Sequence, residues 1–160
     1  MRLPAYKHSP GGFTLVEVMI ALVVLSFGLL AIAAMQDMAL GRNVDANELS
    51  IVTNMAAEMV ERIRYNRPNV TAYAGLDTAN AATRPPTSQP MARGDYDQWS
   101  ARLAATRLSG VRGTVAVVAL GPANLNQSQV TVQITWGGIR TGTEVARNRT
   151  VSLGTVISPE

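Results

Sequence analysis

The chain has no cysteine, one histidine, one lysine and an aromatic content of only 5%. Without thiols it can build no disulfide scaffold, no cysteine nucleophile and no thiolate metal site. Its histidine, His8, and its lysine, Lys7, both fall within the first ten residues. Everything beyond them therefore lacks the residues most often used as general base and zinc ligand. A strongly basic face is also missing. After Gly12 the chain carries 12 Arg against 11 Asp and Glu, scattered along its length. A stripe able to follow a phosphate backbone would survive removal of Arg2 and Lys7, and none does, so nucleic acid is not an expected partner. Proline is absent between Pro10 and Pro68, which removes the main obstacle to one long helix.

What is present is apolar: 47% of 160 residues, enough for one domain plus an extension. Residues 1–12 are short and basic, are broken by Pro4 and Pro10, and end in Gly11-Gly12. Phe13 then opens an apolar run to Met35, interrupted only by Thr14, Glu17, Ser26, Gly28 and small alanines. As a helix, residues 13–35 span roughly 34 Å, sufficient to cross a bilayer core. The preceding cations predict a cytoplasmic amino terminus and an exported remainder. An ordinary secretory signal, with Val18–Leu30 as apolar region and Ala31-Ile32-Ala33 as cleavage site, and a plain uncleaved anchor are the competing readings.

Glu17 separates them. A carboxylate within a membrane segment costs up to about 2.5–3.5 kcal/mol at the bilayer centre and less near an end, so it calls for a partner. A cut after Gly12 would leave Phe13 with a free ammonium one helical turn away, within one chain or across neighbours. It would also place Glu17 at the positive end of the helix dipole. A glutamate at headgroup level would need no partner.

Gly12-Phe13-Thr14-Leu15-Val16-Glu17, followed by Val18-Met19-Ile20-Ala21-Leu22, resembles the processing site of type IV prepilins and type II secretion pseudopilins. The resemblance covers residues 1–35. It implies an α+β, type IV pilin-like fold and a prepilin leader at residues 1–12. It further implies that a prepilin peptidase cuts after Gly12 and methylates Phe13, and that Glu17 is the assembly carboxylate. The implied partners are other minor pilins, the major pilin and an inner-membrane assembly platform. The implied location is the bacterial inner membrane with a periplasmic domain, then the fibre. Many members have a proline near the middle of the buried helix; here Ala31, Ala33 and Ala34 stand in that region, leaving Ser26 and Gly28 as the candidates for local melting.

One helix is expected over residues 13–66. Beyond Gln36 it becomes one-sided: Val44, Ile51/Val52, Met55, Met59 and Ile63 recur at three- and four-residue spacings. Arg42, Asp45, Glu48, Glu58, Glu61 and Arg62 lie off that stripe, with Glu58 and Arg62 paired at i,i+4. The stripe is expected to pack on the chain's own domain. Gly28 and Gly41 weaken the helix by about 1 kcal/mol each relative to alanine. The tail Ala57–Pro68, with Arg62, Arg64 and Arg67, is similar to that of the PilV group of minor pilins, the type IV pilus modification proteins, and to pseudopilin I of type II secretion. Arg64 and Arg67 also suit the helix dipole with no further role.

Residues 67–94, with Pro68, Pro85, Pro86 and Pro90, read as a long surface loop, least ordered around Thr78–Gln89. Residues 95–160 then form a small α+β domain. Asp95–Leu108 reads as a helix capped by Asp95, with Tyr96, Trp99 and Leu103 on one face. Val111–Leu120, Gln129–Trp136 and Glu144–Leu153 read as strands, the last extended by Val156-Ile157, joined through Gly121–Ser128 and Gly137–Thr143. The result is an antiparallel sheet of three to four strands with one wet face, packed on the second half of the long helix.

Enzymatic chemistry finds little support. Asp95 and Asp97 are spaced carboxylates that capping and solvation explain, with too few oxygens nearby for calcium. Gly110-Val111-Arg112-Gly113 lacks the helices of a nucleic-acid clamp and reads as strand entry. Asn69-Val70-Thr71, Asn126-Gln127-Ser128 and Asn148-Arg149-Thr150 match a glycosylation triplet by chance. Trp99 and Trp136 read as packing residues. No catalytic residue, metal or cofactor is expected. The leading expectation is a structural minor pilin assembled near a fibre tip; pseudopilin I and a membrane-anchored periplasmic binding module are the alternatives.

Overall fold

The computed structural model describes residues 11–121, 126–137 and 148–158. They fall into two units with a boundary between Arg42 and Asn43. Helix α1 (Leu15–Tyr65) contributes to both.

In the first unit every described residue from Gly11 to Leu40 is exposed. From Leu15 to Met35 its side chains are apolar on all sides apart from Glu17 and Ser26, and α1 holds a stretch long and apolar enough to cross a membrane. The helix is unbroken through Ser26, Gly28 and Gly41. The Ser26 hydroxyl is satisfied locally, donating to the Leu22 carbonyl at 2.7 Å, a back-bond that removes a free polar group from an apolar surface.

In the second unit the remainder of α1 covers an antiparallel sheet of strands β1 (Leu76–Asp77), β2 (Ser109–Leu120), β3 (Gln127–Gly137) and β4 (Asn148–Ile157), ordered β1-β2-β3-β4. β3 is central and shows the strict alternation of a half-wet strand. Val130, Val132 and Ile134 are fully buried and Trp136 nearly so, while Gln129 and Gln133 face solvent. Burying each of those large side chains contributes about 1.5–3 kcal/mol, which makes register expensive to change: a one-residue slip would turn all four outward. β2 runs alongside from Arg112 opposite Thr135 to Leu120 opposite Gln127. β4 pairs from Ser128 opposite Ile157 to Gly137 opposite Asn148, with Val156 and Ile157 inside the strand. The expected strand start at 144–147 and most of the two connections lie outside the described residues.

The helix stripe sits further round α1 than its spacing suggested. Val52, Ala56, Met59, Val60 and Ile63 are buried, whereas Val44 and Ile51 are exposed and Met55 is half-buried. Glu48, expected on the solvent side, is buried. Its carboxylate accepts a hydrogen bond from Trp136 Nε1 at 3.0 Å, and Arg149 lies 3.9 Å away while holding Asp45 at 2.8 Å. A charge so placed is tolerable because it has a donor and a counter-ion.

Residues 67–94 are not one surface loop. They contain 3-10 turns at Arg67–Tyr73 and Ala81–Thr83, strand β1, and the start of helix α2 (Pro90–Ala105). Val70, Tyr73, Leu76 and Ala92 from this stretch are buried. It is fastened by Arg112, which grips both oxygens of Asp77 at 2.9 and 2.6 Å, and by Thr78, whose hydroxyl accepts from Gly113 N–H at 2.8 Å. The second helix therefore begins earlier than expected. Pro90 occupies its first turn, where a missing N–H costs nothing, and Asp95 is an interior residue rather than a cap. Tyr96, Trp99 and Leu103 do form its inner face. Trp99 lies against Gly113 of β2 and donates to the Met55 carbonyl of α1 at 3.2 Å, so one indole ties α1, α2 and β2 together.

Candidate processing and assembly site

Gly11, Gly12, Phe13 and Thr14 precede α1 in non-helical backbone, all exposed. The helix starts where it does because Thr14 caps it. The Thr14 carbonyl accepts from Val18 N–H at 3.2 Å, and its hydroxyl accepts from Glu17 N–H at 3.2 Å. A threonine followed three residues later by glutamate is the capping-box spacing, and the hydroxyl satisfies one of the donors every helix leaves orphaned at its start. Phe13 and Val18 occupy the positions on either side of that box where apolar residues staple the incoming chain. Phe13, Glu17, Val18, Ala21, Leu22 and Leu25 line one shallow recess along the helix.

Gly12, Phe13 and Glu17 are thus brought within about one turn of each other at the mouth of an exposed apolar helix. Glu17 sits in the first turn, where the helix dipole favours a negative charge. Among the described residues it has no ion-pair partner in this uncut chain. Thr14 has no role in the expectations from sequence, although the Thr-x-x-Glu spacing of a capping box lies within the motif.

Most of the described charged side chains of the second unit pair with one another. Arg62 donates to Glu58 at 2.8 Å, to Asp95 at 2.9 Å and to Gln98 at 2.9 Å, and Arg102 also pairs with Glu58. Tyr73 donates its hydroxyl proton to Asp95 at 2.6 Å and accepts from Asn66 at 3.0 Å. Burial, with the Asp95 hydrogen bond in support, pushes the Tyr73 phenol well above the ordinary tyrosine range. Arg64 holds Glu61 at 2.6 Å and Thr155 at 2.8 Å. Asp97 is held by Arg84 rather than sharing a site with Asp95. These contacts dock residues 66–98 onto the end of α1. Among the described residues no group of three His, Cys, Asp or Glu side chains could hold a metal ion.

Residues 8–33 match the family model described as the prokaryotic N-terminal methylation motif. No curated protein and no solved structure matches the chain. The motif, the apolar helix that follows it and the α+β fold together support a type IV pilin or pseudopilin.

Proposed function

We propose that this chain is a minor pilin of a type IV pilus, similar to the PilV group. A prepilin peptidase removes residues 1–12 and methylates Phe13, and the product joins other minor pilins to prime assembly near the fibre tip. The observation that carries this reading is the placement of Gly12, Phe13 and Glu17 at the start of a helix that is apolar on every side to Met35, Glu17 and Ser26 apart, and exposed throughout its first 26 residues, Leu15 to Leu40.

Physically, such a helix is stable only in lipid or among other apolar helices. Leaving the bilayer for a fibre exchanges one apolar environment for another, so the hydrophobic term changes little and polar pairing decides register. Glu17 supplies the negative partner and the new Phe13 ammonium of an adjacent subunit supplies the positive one. In an apolar surrounding that pair is worth far more than at a surface, because either charge left alone bears the full desolvation cost. The globular unit stays outside and presents its surface to partner subunits.

Mass spectrometry of the chain purified from membranes tests this. The expected product begins at N-methylated Phe13, whereas a start at Met1 or near Ala34 overturns it. The cut chain contains no lysine, so its amino terminus is its sole amine, and isotopic reductive methylation should add a single methyl group. Loss of surface pili on deletion, with secretion intact, separates the pilus role from that of pseudopilin I.

A further inference from the structure

Processing after Gly12 requires the scissile peptide to be in extended backbone, because a peptide bond inside a helix has its groups engaged and turned away from a protease. We propose that Thr14 is a positioning residue for this cleavage: its hydroxyl fixes the start of the helix and so holds the unwound Gly12–Phe13 bond at a fixed distance from an ordered first turn. The inference rests on the processing reading above and extends it to a residue with no chemical part in the cut.

Four observations carry it. Residues 11–14 are non-helical while Leu15 onward is helical without interruption. The Thr14 hydroxyl takes the Glu17 N–H, and its carbonyl takes that of Val18. The scissile bond lies one residue before the cap, with Phe13 lying over the same recess as Val18 and Leu22. Finally, Thr14 is one of only three polar side chains, with Glu17 and Ser26, between Phe13 and Met35, and valine has the same shape without the polar atom. The hydroxyl is offset by the orphan helix donor it satisfies.

Gly11 and Gly12 already oppose extension of the helix toward the leader. Removing the cap therefore frays the helix inward. Leu15, Val16 and Glu17 lose their fixed geometry, and the scissile bond is no longer presented at one height above the apolar segment. A cap of this kind changes the helical population of the first turn about five-fold, and the cleavage rate should follow it.

The full-length chain in membrane vesicles, mixed with vesicles containing prepilin peptidase, tests the proposal. Thr14→Val should reduce kcat/KM for cleavage about five-fold, while Thr14→Ser and Thr14→Asn, which retain a capping oxygen, should restore most of it. Each product should still begin at Phe13. Wild-type rates for Thr14→Val, or Thr14→Ser as slow as Thr14→Val, overturn the proposal while leaving processing itself intact. A wild-type chain that is never cut after Gly12 instead removes the processing reading, and this proposal with it.

Discussion

Gly113 should be the least replaceable of the described glycines in the second unit. A Cβ built there would lie 2.3 and 2.6 Å from two carbons of the Trp99 ring and 2.8 Å from a Leu103 methyl. Trp99 is 1% exposed, and its indole N–H is tied to the Met55 carbonyl, so the ring cannot swing aside into solvent. Two effects oppose each other when Gly113 becomes alanine. Strand propensity favours alanine by at most about 1 kcal/mol. Overpacking of a closed core costs about 1–3 kcal/mol, and a displaced indole that loses its acceptor adds about 1–3 kcal/mol for the buried donor. The steric terms win, and the net destabilisation should be about 2–4 kcal/mol.

Both tryptophans, Trp99 and Trp136, lie in this unit. Intrinsic tryptophan fluorescence of the full chain in detergent therefore reports its unfolding without interference from the apolar helix. The urea midpoint of Gly113→Ala should fall by 1 M or more, taking m near 2 kcal/mol/M. In a Trp99→Phe background the same substitution should cost much less, because the smaller ring leaves room. A Gly113→Ala midpoint equal to wild type would falsify the close-contact account, and additive costs in the double variant would show that Trp99 is not the group that is struck.

Further outcomes follow from the charged and capped positions. Glu48→Ala should lower stability by about 1–3 kcal/mol in the same fluorescence assay, because it strands the buried Trp136 N–H; a neutral effect would mean that the indole has another acceptor. Arginine hydrogen bonds hold Asp45, Asp77 and Asp97 below the ordinary carboxylate range, through Arg149, Arg112 and Arg84. On acidification the unfolded chain takes up protons first, so their contribution is complete above about pH 4 and declines below it. The raised Tyr73 phenol acts in the opposite direction: the unfolded chain loses its proton first, so urea midpoints should fall above about pH 10, and Tyr73→Phe should flatten that limb. Glu17→Ala should leave cleavage after Gly12 largely intact yet impair incorporation into fibres; normal incorporation, measured by immunoblot of sheared pili, refutes the pairing role.

Legibility in the sequence tracked the range of the interactions involved. The apolar run from Phe13 and the alternation Val130, Val132, Ile134, Trp136 depend on neighbours within a few residues, and both elements form where the period placed them. The Glu58–Arg62 pair is local in the same sense. Glu48 is the contrary case. A glutamate on a helix reads as solvated until Trp136, far away in the chain, supplies the donor that makes burial tolerable. Strand β1 is only two residues long and owes its existence to Thr114 and Val115 across from it, so no period could announce it. Asp95 showed a good capping residue in the wrong role, because Arg62 and Tyr73 make better use of its carboxylate inside the helix.

The same distinction explains the division of labour along the chain. The local part of the processing signal lies in Gly12–Glu17, where the Thr14 hydroxyl and carbonyl take the backbone N–H groups of Glu17 and Val18 within one turn, while the Glu17 carboxylate is left for a partner. The second unit is built the other way, with its charges spent internally: Arg62, Arg84, Arg112 and Arg149 each close a contact between distant segments. These four arginines present paired rather than free charge at the surface. Under the proposed assembly role, binding of neighbouring subunits through these positions should be insensitive to salt, and co-purification of such subunits at high ionic strength is the measurement that separates this from electrostatic docking.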